Sequence, residues 1–163
     1  MPARLDPAFY PVDLLSDVVA QGQSSRLYRR LLREKQLFSQ IDCYVTGNTD
    51  PGLLVIEGRP VDGITPDQAL AAIWEELEIL RAAPIETREL QKIQHRFEST
   101  VVFSETSVLN KAQNLAFYVV LDRAELMNDE TATYLAVTPE QLHQTAQTLF
   151  QPNNSATLIY VPT

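Results

Sequence analysis

Residues 24–35 read SSRLYRRLLREK and run into QLFSQIDCYVTG at 36–47, and the change of period between the two decides the architecture. In the first stretch Tyr28, Leu31 and Leu32 can pack inward. Arg26, Arg29, Arg30 and Arg33, at i, i+3, i+4 and i+7, form a basic stripe on the other side, as a helix with two unlike faces requires. From Gln40 to Thr46 the period falls to two. Ile41, Cys43 and Val45 lie on one side and Gln40, Asp42, Tyr44 and Thr46 on the other, which predicts a half-buried strand.

Working outward, Gly47 to Gly52 carries Asn48, Asp50 and Pro51 and turns the chain, so that Leu53 to Arg59 forms a second, more buried strand of an antiparallel hairpin. Upstream, a helix is expected from near Tyr10, with Leu14, Leu15, Val18 and Val19 as its apolar stripe. Gly22 ends it, and Ser24 and Ser25 are candidate caps for the basic helix. Downstream, Thr65-Pro66-Asp67-Gln68 is a capping box with proline at the first helical position, and Leu70, Ile73, Leu77 and Leu80 continue at helical spacing. Thr87 can cap a further helix with Leu90, Ile93, Phe97 and Val101 on one face. After Thr106-Ser107, Leu109, Ala112, Leu115, Ala116 and Val119 make the next apolar stripe. A short helix is expected from Asn128 to Tyr134. Thr138-Pro139-Glu140-Gln141 repeats the capping chemistry ahead of Leu142, Ala146 and Leu149. Ala156 to Val161 is expected to be a closing strand.

These elements suit a single α+β domain, since 163 residues with 45% hydrophobic content can bury one good core. With 13 positive residues against 21 negative and a net charge of −8, the chain lacks the broad positive potential that nucleic acid requires. No apolar run approaches the roughly 18 residues of a membrane-spanning helix, and the first residues lack the apolar region of a signal peptide. A single cysteine, Cys43, cannot close an internal disulfide and reads as a small core residue.

Chemistry-bearing patterns are sparse. His95 and His143 stand alone on predicted helices, without the H-x-x-E-H or H-E-x-x-H spacing that places two metal ligands on one face. Glu75, Glu76 and Glu78 read as the solvated face of an amphipathic helix, and Ser24-Ser25 lacks a nucleophile elbow. The basic stripe remains. It is either a solvated face balancing an acidic protein or a set of guanidinium forks for carbonyls and carboxylates.

The order Leu14-Leu15, Gly22, Ser24-Ser25-Arg26-Leu27-Tyr28, Leu31, Arg33-Glu34-Lys35 and then a strand resembles the C-terminal half-domain of the insulinase or pitrilysin family of zinc metallopeptidases, which includes the mitochondrial processing peptidases. Pro84-Ile85-Glu86-Thr87-Arg88-Glu89-Leu90, Ala136-Val137-Thr138-Pro139-Glu140 and Pro152-Asn153-Asn154 agree in series, so the resemblance covers nearly the whole chain.

It implies a ferredoxin-like two-layer α/β sandwich with an antiparallel sheet. Residues 1–163 would form one C-terminal, substrate-chamber half-domain, excised from a longer peptidase and lacking its first strand. It further implies that this half holds no metal and no cofactor. Zinc would belong to a partner half carrying H-x-x-E-H, on the same or a separate chain, and the two halves would enclose a peptide. By the same resemblance Arg33 is the substrate-binding residue. The tyrosine that usually follows does not carry over, because Ser39 or Gln40 falls in its place. A structural or docking subunit without peptidase function is the alternative.

Overall fold

In the computed structural model, which describes residues 1–160, the order of elements follows from where the chain can be capped and where it must turn. Helix α1 (Phe9–Ala20) starts within a residue of its expected place, with Pro11 tolerated in its first turn, and Gly22 beyond its end takes φ +86°, a conformation that favours glycine. A helical segment follows that is π-helical over Tyr28–Glu34. Strands β1 (Phe38–Val45) and β2 (Leu54–Pro60) pair antiparallel, with Cys43 opposite Ile56 and Ile41 opposite Gly58. Then come α2 (Pro66–Ala82), α3 (Thr87–Ser104), α4 (Val108–Val120), α5 (Leu126–Leu135) and α6 (Pro139–Leu149).

Both capping boxes form as the sequence predicts. Thr65 and Gln68 satisfy each other's backbone N–H at the start of α2, and Thr138 and Gln141 do the same at α6. Ser107 caps α4 through the Asn110 N–H. Thr87 does not cap α3. It is the first helical residue, and Glu86 holds the cap position without a side-chain bond. Ser24 and Ser25 are not caps either, because Ser25 Oγ donates back to the Gly22 carbonyl and Ser24 Oγ is bonded by Lys92.

The core lies where α1 packs on the inner face of β1, with α6 against both α1 and α2. Leu14, Leu15, Val18, Val19, Leu27 and Leu31 are fully buried there. Ile41 and Cys43 supply the strand side, as alternation requires. This is an α+β fold with helices layered on an antiparallel pair, and the sheet has two strands among the described residues.

Two expectations are corrected. β2 is the less buried strand, because α1 covers the inner face of β1 and leaves most of β2 half-buried or open. Residues 156–160 of the expected closing strand form no ladder and stand exposed, since a strand exists only with a neighbour to bond; Val161 lies outside the described residues. The apolar stripe of α4 forms but is left uncovered: Leu109, Ala112, Leu115, Ala116 and Val119 face solvent and only Tyr118 of that helix is buried.

Candidate functional site

The basic stripe does not survive as a stripe. A π turn bonds i to i+5 in place of i+4 and so carries an additional residue around the axis, which rotates Arg33 out of line with Arg26. Lys35 N–H donating to the Arg30 carbonyl at 2.9 Å is one such bond. The segment ends at Gln36, a non-glycine residue at φ +51°, and the Leu37 N–H closes onto the Leu31 carbonyl at 2.8 Å. Non-glycine residues in the left-handed region and π turns both concentrate at functional sites.

The cations are then separated by their partners. Arg26 forks onto Glu89 of α3 at 2.9 and 3.1 Å. Arg29 and Arg30 share Glu34 at 3.7 and 3.3 Å. Lys35 reaches Glu75 at 2.7 Å and Glu76 at 3.5 Å. Glu76 is buried, so the reading of Glu75, Glu76 and Glu78 as one solvated face is corrected: Lys35, brought in from the π segment, makes burial of that carboxylate tolerable.

Arg33 differs from its neighbours. Among the described residues it is the arginine of the four with no carboxylate partner; the Gln23 side-chain oxygen accepts from its Nη2 at 3.3 Å, and its guanidinium lies 5.6 Å from the Tyr28 ring centre. Gln23 and Tyr28 both line a groove of about 480 Å³, bounded on one wall by residues 39–42 of β1 and on the other by Tyr28, Leu32 and the turn at 20–23. Arg33 is thus exposed beside two residues that line the groove, with its guanidinium free of any carboxylate among the described residues. Ser39 and Gln40 line the same groove. Ser39 Oγ donates to the Arg59 carbonyl at 3.1 Å, and Gln40 Nε2 donates to Asp42 at 2.9 Å.

The histidines serve other ends. His143 Nε2 lies 2.9 Å from the Arg81 carbonyl near the end of α2, where carbonyls lack helical partners. His95 is exposed beside Glu98. No group of three His, Cys, Asp or Glu among the described residues is placed to hold a metal ion, so a zinc centre does not fit on them. Burial pushes the Cys43 thiol well above its ordinary pKa, which keeps it a protonated core residue. No described helix is long and apolar enough to cross a membrane.

Sequence reasoning missed a polar seam between α1, α3 and α5. Arg4 pairs with buried Glu130, which also accepts from the Tyr118 hydroxyl. The Tyr134 hydroxyl donates to Asp13 at 2.6 Å, and Arg96 pairs with Asp17 at 2.7 Å. Gln94, buried within α3, donates to the carbonyls of Tyr134, Leu135 and Val137 at 3.0 to 3.1 Å. Gln23 was missed as well. Each of these depends on partners far away in the chain, and no local spacing signals them.

Solved structures share the fold. The chain superposes on the inactive peptidase domain of a candidate zinc protease from Bordetella parapertussis with a TM-score of 0.90 at 21% identity, covering 100% of this chain and 87% of that one. For a candidate zinc protease from Bordetella pertussis the values are 0.88 and 22%, covering 99% and 89%. A protease from Helicobacter pylori gives 0.86 at 23%, with 91% of this chain matched to 36% of that chain, so the fold occupies about a third of that molecule. No curated protein matches the chain significantly. An α+β domain of this shape is thus the fold seen in these structures, the inactive peptidase domain from Bordetella parapertussis among them. Residues 1–97 match the model of the peptidase M16 inactive domain, and the chain belongs to that family.

Proposed function

We propose that this chain is the metal-free half of a zinc-dependent endopeptidase, and that it helps to enclose and bind a peptide opposite a zinc-bearing half. The observation that carries this reading is the family match over residues 1–97, because that stretch contains the whole groove and the surroundings of Arg33. In this reading Arg33 donates to the peptide from the rim, while zinc and the H-x-x-E-H motif belong to the partner half, in the same chain or in a separate subunit. Residues 1–163 act as one C-terminal half-domain whose first strand comes from an adjoining segment. The bare apolar side chains of Leu158 and Tyr160, in a stretch with strand-like composition, support that assignment.

Mixing the chain with a zinc-bearing half is expected to yield peptide cleavage, and Arg33→Ala to lower it about tenfold or more, as loss of a charge-assisted hydrogen bond of roughly 1.5–3 kcal/mol implies. Unchanged cleavage in that variant would remove Arg33 from the site. A second reading, a docking subunit without peptidase function, is favoured by the groove itself. Ser39 and Gln40 stand where the family's tyrosine is expected, and their side chains are already bonded within the sheet. A zinc-bearing half that binds this chain tightly yet cleaves no faster with it than without it would establish that reading.

A further inference from the structure

The bare stripe of α4 has the spacing of a helix that meets another helix. Val108, Ala112, Leu115 and Val119 follow one another at steps of four, three and four, the heptad spacing that keeps one line of side chains turned to a partner. All four are exposed, Val108 by 85%, and nothing among the described residues covers them. Contiguous bare apolar surface on a folded domain marks an interaction site.

We propose that α4 pairs antiparallel with α4 of a second copy of this chain, about a two-fold axis that crosses between Gln113 and Asn114. That axis sets Val108 opposite Val119 of the second copy and Ala112 opposite its Leu115, and symmetry repeats both layers. The sizes then match throughout, because each leucine fills the room left by an alanine while valine meets valine. On the flank, Leu109 and Ala116 come together in the same large-against-small way. A parallel pair would instead stack Ala112 on Ala112 and leave a void, which close packing disfavours.

Electrostatics favour the same face. Two copies of net charge −8 repel over most of their surface, yet from Thr106 to Leu121 the one charged side chain is Lys111. Antiparallel pairing also sets the positive end of each helix dipole beside the negative end of the other. Two such faces bury on the order of 1,000 Å², the least that a specific interface needs, so the dimer should hold at about tens of micromolar. In more dilute solution, where unfolding is followed, α4 is bare. The helix contributes no residue to the groove, so this pairing stands apart from the reading of the groove as a peptide site.

The test follows the full chain by sedimentation velocity. Its mass is expected to pass from monomer to dimer between about 1 and about 300 μM, and Leu115→Asp, at an exposed position, to weaken association at least about tenfold. Register is read by disulfide cross-linking, with buried Cys43 giving no background. Val108→Cys mixed with Val119→Cys should link readily across the axis. Val108→Cys alone should link at least about tenfold less, because its two copies lie roughly 16 Å apart along the antiparallel pair, beyond the reach of a disulfide. A monomer at every concentration, or self-linking of Val108→Cys as strong as in the mixture, would overturn the proposal. So would a zinc-bearing half that shields Val108→Cys from maleimide while the chain alone stays monomeric, which assigns the face to that half.

Discussion

Helices α4 and α6 have the same design on paper and opposite fates in the fold. Each starts at a side-chain cap, Ser107 or Thr138, and each carries a clear apolar stripe. In α6 the stripe is consumed: Leu142 and Ala146 are 1% and 0% exposed, held between α1 and α2. In α4 Leu109, Leu115 and Val119 remain 67%, 46% and 58% exposed, and the helix is held largely by buried Tyr118, whose hydroxyl shares Glu130 with Arg4. Periodicity reports which face of a helix is apolar. It does not report whether another element is there to cover it.

The largest break in this contrast should come from Glu130→Ala. It leaves the Arg4 guanidinium buried without its carboxylate, with Nη1 already unpartnered, and removes the acceptor that anchors α4. A loss of about 3–5 kcal/mol in urea unfolding is expected, as for other buried pairs broken on one side; a loss below 1 kcal/mol would show that water reaches the seam. Next, Leu142→Ala in α6 should cost about 2–5 kcal/mol, whereas Leu115→Ala in α4 should change stability by no more than about 0.5 kcal/mol. Equal costs would mean that α4 is covered in solution.

The smallest effect concerns Asp13, on the α1 side of the seam. Burial raises its pKa above the ordinary carboxylate value, and the hydrogen bond from Tyr134 only partly offsets this. A carboxyl whose folded pKa exceeds its unfolded one contributes stability that is fully present below the unfolded pKa and lost as pH rises through the folded one. Asp13→Asn, which keeps an acceptor for Tyr134, should therefore flatten the fall in stability just above the usual carboxylate range without weakening the fold at neutral pH. Asp17 is raised for the same reason beside Arg96 and should keep a residual slope. A profile unchanged by Asp13→Asn would assign the whole slope to Asp17.

Legibility followed the range of the forces involved. The two capping boxes, the alternation of β1 and the stripe of α1 rest on neighbours within a few residues and were readable from the sequence. Glu76 was misread because its cation, Lys35, arrives from another segment, and residues 156–160 were misread because strand composition supplies no partner strand. The site divides the same way. Arg33 was singled out through family resemblance alone, and the structure leaves it exposed beside Gln23 and Tyr28 of the groove. Gln23 emerges only when the chain end of α1 is folded back beside the hairpin. The π turn has no signature in spacing, because a bond to i+5 forms only where packing on both sides holds the additional residue in place.

That turn makes the segment between Leu27 and Lys35 a length standard. It stores one residue more than a regular helix of the same rise, and both of its ends are fixed, Arg26 by Glu89 and Arg33 by Gln23. Deleting Arg29, an exposed residue inside the turn, should let the chain close into ordinary α turns, with a phase change of about 100° between the two ends. Only one end could then keep its partner. Double-mutant cycles on Arg26–Glu89 and Arg33–Gln23 in the deletion variant should find one coupling abolished and the other intact; two surviving couplings would mean that the stored residue is slack.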